Sequence, residues 1–171
     1  TRLVSDWSSD VCSSDLAGTG MTAPTWEQAR ERFAAAGTYW LSTVRPDGRP
    51  HAVPVLGVWW AGTLHFAAGE GTRKARNLAA CPACVVTTHA DPFDLVLEGR
   101  ARPVRDEQTA RAVAAAYQEK YGWYPQVRQG RLWAEGAPTA GPPPFTVYRV
   151  EPERGFAFPA EAEVAPARWR F

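Results

Sequence analysis

Apolar and polar positions alternate with two different periods along this chain, and each change of period marks an element. Thr25-Trp26-Glu27-Gln28 reads as a capping box, and the helix it opens is predicted to run to about Ala36 and stop at Gly37. Thr38 to Val44 alternates and is β-branched or aromatic, which predicts a strand. Pro46 and Asp47-Gly48 then form a hairpin turn. A second strand is predicted over His51–Trp60, and Ala61-Gly62 turns it into a third, Thr63–Ala67. A short helix over 73–80 follows, then strands over Cys84–His89 and Asp94–Val104. Asp106 caps a second long helix reaching Tyr121, and its Ala-rich turns suit that state. Residues 122–144 read as irregular, and Phe145–Val150 and Phe156–Phe158 as two further strands. Six or seven short, mostly antiparallel strands with few helices predict a mainly-β or α+β domain built as a closed or partly closed barrel. No βαβ alternation and no G-x-G-x-x-G after a strand support a Rossmann domain.

The candidate chemistry lies at Gly69-Glu70-Gly71-Thr72-Arg73-Lys74-Ala75-Arg76-Asn77-Leu78. Two glycines give a loop, Thr72 is a good N-cap, and three cations follow within about a turn. Free N–H groups, the positive end of a helix dipole and clustered Arg and Lys suit a phosphate. Arg grips phosphate oxygens in a fork, and Lys adds a compact charge. Taken alone, the same stretch is also what a surface helix with solvated charges looks like.

Composition narrows the classes. With 171 residues, 45% hydrophobic and 22% charged, the chain is that of an ordinary globular protein of one domain. Its net charge of +1 gives no support to a nucleic-acid partner, and no apolar run reaches transmembrane length. Eight tryptophans are many, and such surface lines interfaces and ring pockets as well as cores. Residues 1–20 lack periodicity, basic n-region and apolar h-region; they resemble a translated sequencing adapter, a non-native leader before a domain expected over 21–171. Cys81-Pro-Ala-Cys84 lacks a second CxxC to complete a metal site, so no metal is expected, and two reduced thiols in a cytoplasmic protein are.

The order of hairpin, glycine loop, Thr72-Arg73-Lys74, Asn77-Leu78, Pro82 and the strand Asp94-Leu-Val-Leu-Glu-Gly99 resembles the pyridoxamine 5'-phosphate oxidase-like family of flavin- and deazaflavin-dependent proteins. Lys120-Tyr-Gly-Trp123 and Arg168-Trp-Arg-Phe171 are similar to its actinobacterial members. The resemblance implies a split β-barrel of the FMN-binding type and a homodimer with two cofactor clefts between subunits. It implies that Ala52, Val53, Pro54 and Val55 face the cofactor ring largely through backbone groups, with Ala67 and Ala68 at the opposite rim. Thr72, Arg73, Lys74 and Asn77 would hold the phosphate, and Arg168 and Trp169 would approach the cleft. Pro54, lacking an N–H, fits an edge or cleft strand. Asp94 and the Arg-Trp-Arg-Phe tail depart from true pyridoxamine-phosphate oxidases, and no His follows His89, so pyridoxal phosphate synthesis is not expected.

The implied activity is an oxidoreductase with FMN or F420 that passes hydride to a small unsaturated or quinone-like substrate. The alternative is a flavin or haem carrier without turnover. In the first case the cofactor does the chemistry, which explains a chain without triad or HExxH. His51, His65 and His89 stand isolated in predicted strands and read as structural or surface residues. Tyr121 and Tyr124 could donate a proton but more readily pack. Arg76, beyond Arg73-Lys74, could serve the longer anionic tail of F420.

Overall fold

The computed structural model describes residues 22–135, 137, 140–159 and 164–171; the expected leader lies outside them. Among these residues three helices, α1 (Trp26–Ala35), α2 (Arg73–Ala80) and α3 (Glu107–Tyr121), accompany ten strands. These are β1 (Tyr39–Val44), β2 (Pro50–Val55), β3 (Gly57–Trp60), β4 (Thr63–Gly69), β5 (Ala83–Ala90), β6 (Phe93–Pro103), β7 (Gln126–Arg128), β8 (Arg131–Trp133), β9 (Phe145–Pro159) and β10 (Ala167–Arg170). Neighbouring strands run antiparallel in the order β2-β1-β5-β6-β9-β4-β3.

The predicted caps are present. Thr25 and Gln28 make the capping box of α1, Asp106 caps α3, and Gly122 ends α3 in the left-handed region at φ +63°. Helix α1 stops without a left-handed glycine. The Tyr39 hydroxyl donates to the carbonyls of Phe33 (2.5 Å) and Ala34 (3.5 Å), and Lys120 Nζ also donates to Ala34 (2.7 Å), so its last turn is closed from outside.

Three strand expectations need correction. The strand predicted over 51–60 is two strands, broken at Leu56: β2 pairs with β1 at one end of the sheet order, and β3 pairs with β4 at the other. A single residue therefore joins the two ends of an open sheet, and the sheet must curl to allow it. Nothing in the unbroken apolar run Val53–Trp60 marks that break. The two strands predicted at 145–150 and 156–158 are one fifteen-residue strand, because β6 pairs with it continuously across the predicted gap, from Tyr148 to Pro159. Its other edge is shared by β4 and β10. The irregular 122–144 stretch contains the hairpin β7–β8, too short to show a period.

Two apolar clusters sit on opposite faces of β4. Ala68 points into the larger one, with Tyr39, Leu41, Phe66, Val86, Leu97 and α1; Ala67 points into the other, under α3, with Val113, Tyr117, Leu132 and Phe145. Where β6 and β9 change register, a Cβ on Gly99 would stand 2.1 Å from the Glu151 carbonyl oxygen. Gly99→Ala must move backbone, so it is expected to cost about 1–3 kcal/mol, the usual cost of overpacking. Denaturant midpoints should reveal this against Gly71→Ala, where a Cβ meets open space.

Candidate functional site

Helix α2 packs on β1 and β4, bridging strands from opposite halves of the sheet order. Its N-terminus is built as the sequence suggests: Thr72 Oγ1 accepts from Ala75 N (3.3 Å) and donates to the Gly69 carbonyl (2.7 Å). The segment before β9 supports this turn. Gly69 N donates to Ala140 O (2.6 Å), and a Cβ on Gly69 would meet Pro142 O at 2.6 Å. Gly141, at φ +82°, presses on the Thr72 methyl, where a Cβ would come within 2.6 Å. Residues 140–142 thus hold the loop 69–72 in place.

The side chains of α2 divide by depth. Lys74 and Asn77 are buried, while Arg73 and Arg76 are exposed. Asn77 Nδ2 donates to Thr43 Oγ1 (2.9 Å), which donates to the His51 carbonyl (3.3 Å). The chain of bonds ties α2 through β1 to β2. Burial first, then Arg45, Arg73 and Lys74, hold the His51 imidazole below its usual pKa. Burial lowers Lys74 as well. Two cations of α2 and one from the β1–β2 turn therefore lie near enough to this imidazole to disfavour its charged form. Asn77 Oδ1, Arg45 Nε and His51 Nδ1 are buried without a protein partner. Buried polar atoms nearly always have one, which makes this group the candidate place for a polar ligand.

Among the sequence-predicted residues, the structure gathers Thr72, Arg73, Lys74 and Asn77 beside β2, which carries Ala52, Val53, Pro54 and Val55. β2 is an edge strand, as the missing N–H of Pro54 requires. Ala67 and Ala68 are buried side chains whose approach to any ligand is limited to backbone. Arg168 and Trp169 part company. Trp169 turns inward, 5.4 Å from the Trp26 ring, in a cluster with Trp59 and Phe171; Arg168 turns outward. No local motif in the sequence singles out Arg45 or His51. Their only signal was position, at either end of a hairpin whose register pairs Thr43 with His51.

Beside α2 a groove of about 480 Å³ is lined by Ala75, Arg76, Ala79, Val104, Arg105 and Arg131, among others. Arg131 pairs with Glu70 at 2.7 Å.

A second polar cluster stands where β2 passes into β3. Tyr117, Lys120 and Tyr121 lie at i, i+3 and i+4 on the last turns of α3 and so share one face. Tyr117 OH donates to Leu56 O (3.0 Å) and Tyr121 OH to Gly57 O (2.8 Å). Lys120 Nζ donates to Gly57 O (3.0 Å), to the Tyr39 hydroxyl (2.9 Å) and to Ala34 O. Burial lowers the Lys120 pKa to about 8 and raises those of Tyr39 and Tyr121. A lysine that titrates lower when folded than unfolded makes the folded state bind fewer protons between the two pKa values. Lys120's own contribution to stability should therefore rise with pH from about 8 toward the ordinary lysine pKa, opposed above about 9 by Cys84 and the tyrosines, which burial keeps protonated in the folded chain. Solvent screening of this half-exposed group limits the gain to about 1 kcal/mol. Between urea melts at pH 7.5 and 9.5 the wild type should gain more, or lose less, stability than Lys120→Met.

Comparison with known proteins agrees with the fold. A family model described as pyridoxamine 5'-phosphate oxidase matches residues 25–159. A heme binding protein from Mycobacterium smegmatis has a similar structure, with TM-score 0.65 and 18% identity over 88% of this chain and 60% of that one. A putative pyridoxamine 5'-phosphate oxidase from Listeria innocua has TM-score 0.57 and 18% identity over 77% and 96% of the two chains. A structure described as an F420 reductase has TM-score 0.53 and 19% identity over 73% and 94%. No curated protein sequence matches the chain.

Proposed function

We propose that this chain, which belongs to the pyridoxamine 5'-phosphate oxidase family, is a homodimeric oxidoreductase that binds FMN or F420 and reduces a small unsaturated or quinone-like molecule. The observation that carries the reading is the grouping of Arg45, Arg73 and Lys74 near His51, whose backbone is tied through Thr43 to Asn77, with Asn77 Oδ1 buried and unpartnered. This donor set fits a phosphate on a polyol chain: cations meet its oxygens, and Asn77 Oδ1 can accept from a hydroxyl. Either cofactor supplies hydride transfer when bound. The protein's part is to hold the phosphate at 72–77 and set the ring against the backbone of Ala52–Val55.

The outer face of the sheet supports dimerisation. Pro54, Trp40, Thr87, Val96, Phe156 and Arg168 stand opposite one another on β2, β1, β5, β6, β9 and β10 and form one row across it. Trp40 is 53% exposed and Phe158, beside the row, 40%. Uncovered aromatic surface on this scale suits a protein interface. Arg168 and Pro54 are five strand spacings apart, roughly 24 Å along the sheet, so an Arg168 that serves the ring would serve its partner's.

Between the two cofactors, the groove along α2 favours F420. Arg76 and Arg105 line it without an ion-pair partner among the described residues, and F420 continues past its phosphate into an oligoglutamate tail. Arg76→Ala/Arg105→Ala should weaken F420 binding about three- to tenfold and leave FMN binding unchanged, as expected for two exposed charge contacts. Equal losses for both cofactors would remove the preference for F420.

A flavin or haem carrier is the second reading. In its favour, His51 is held toward its neutral form and its neighbours are cations, so the cluster can bind an anion without offering an acid–base pair. The absorption spectrum of the purified protein separates the readings: a flavin band, a deazaflavin band or a Soret band each selects one.

A further inference from the structure

We infer that Lys120 is a positioning residue for the ring-facing strand, acting through the β2–β3 corner. The inference rests on the cofactor reading above only in giving β2 its role. Among the described residues, β2 pairs on one side alone, with β1. Its far end is fixed by what holds the corner, and Val55 is one residue from Leu56. The corner has three anchors, all from one face of α3: the hydroxyls of Tyr117 and Tyr121, and the ammonium of Lys120.

Lys120 differs from the two tyrosines in reach. Its three N–H groups go to three different elements: Gly57 O at the corner, Ala34 O in the last turn of α1, and the Tyr39 hydroxyl at the start of β1. The carbonyl at the end of α1 is where a cation is favoured, because the helix dipole is negative there. The aromatic faces of Tyr39 and Tyr121, with ring centres 4.9 and 5.2 Å from Nζ, complete its surroundings. Gly57 makes the arrangement possible, since a Cβ there would press on the Tyr39 ring at 3.0 Å and on Leu64 at 3.1 Å. One ammonium thus locks β1 and α1 to the corner from which β2 departs. No step of the proposed reduction uses it. Its position lets it fix the distance between the backbone of Ala52–Val55 and the phosphate grip on α2.

The test is amide hydrogen exchange by mass spectrometry on the full chain, with FMN and F420 titrated in parallel. In Lys120→Met, peptides covering 51–57 should exchange about tenfold faster, β5 and β6 should keep their wild-type protection, and cofactor affinity should fall about tenfold, or about 1.4 kcal/mol. Lys120→Arg, which keeps a cation with several donors, should recover most of both. A merely packing role would not be rescued by charge. Should Lys120→Met not fold, Lys120→Gln, which keeps a polar end without the charge, is read the same way. Wild-type exchange over 51–57 in a folded variant would overturn the inference. If the wild type bound neither cofactor, the reading of the site would fall, and exchange over 51–57 would still decide whether Lys120 holds β2.

Discussion

Arg73→Ala is expected to weaken cofactor binding by roughly ten- to a hundredfold, the worth of one or two charge-assisted hydrogen bonds from its fork. Arg73 is exposed on the first turn of α2, among the cations around His51. Removing it should therefore change binding without lowering the melting temperature. The neighbouring lysine should behave differently. Lys74 is buried, so Lys74→Met should change stability as well as affinity. Arg111→Ala, at an exposed ion pair on α3, is the control and should change neither. Fluorescence titration of FMN and F420 into the three variants is the measurement. An Arg73→Ala protein that folds and binds like the wild type would put the phosphate elsewhere.

Trp40→Glu should dissociate the protein into monomers and take cofactor binding with it. Trp40 stands in the outer-face row next to its β2 end, between Pro54 and Thr87. Losing an interface tryptophan costs about 2–4 kcal/mol, or roughly thirty- to a thousandfold in dimer affinity, and a buried carboxylate adds to that. The side chain points away from both apolar clusters, so the monomer should keep its secondary structure. Sedimentation velocity at micromolar concentration and a cofactor titration on the same sample give the answer. A wild type that sediments as a monomer would remove the outer face as an interface. A Trp40→Glu dimer that still binds cofactor would place the cleft away from this face.

Local signals in the sequence were enough for the N-caps of all three helices and for the Asp47-Gly48 turn, because each depends on residues a few positions apart. Thr72 was legible for the same reason. Arg45 and His51 were not. They meet the α2 cations only through the pairing of β1 with β2 and the packing of α2 on β1, which no short window contains. The split at Leu56 is likewise a consequence of partner choice: Val55 and Gly57 are equally apolar neighbours, but their strands pair at opposite ends of the sheet. Arg168 and Trp169 were grouped as adjacent residues, and alternation along β10 sends them to opposite faces.

The prolines of β2 also bear on how this chain avoids growing into fibres. Pro50, Ala52 and Pro54 share one parity along the strand, and Val55, Val53 and His51 the other. Proline is tolerated in a paired strand where its missing donor would face away from the ladder. Of the three donors that this parity would present to solvent, two are therefore deleted, and only the N–H of Ala52 is left. An approaching strand finds one donor where it needs a row, so β2 cannot template edge-to-edge growth even when the outer face is bared. The same deletion makes Ala52 N–H the single outward backbone donor on the strand, open to an acceptor too small to be another strand.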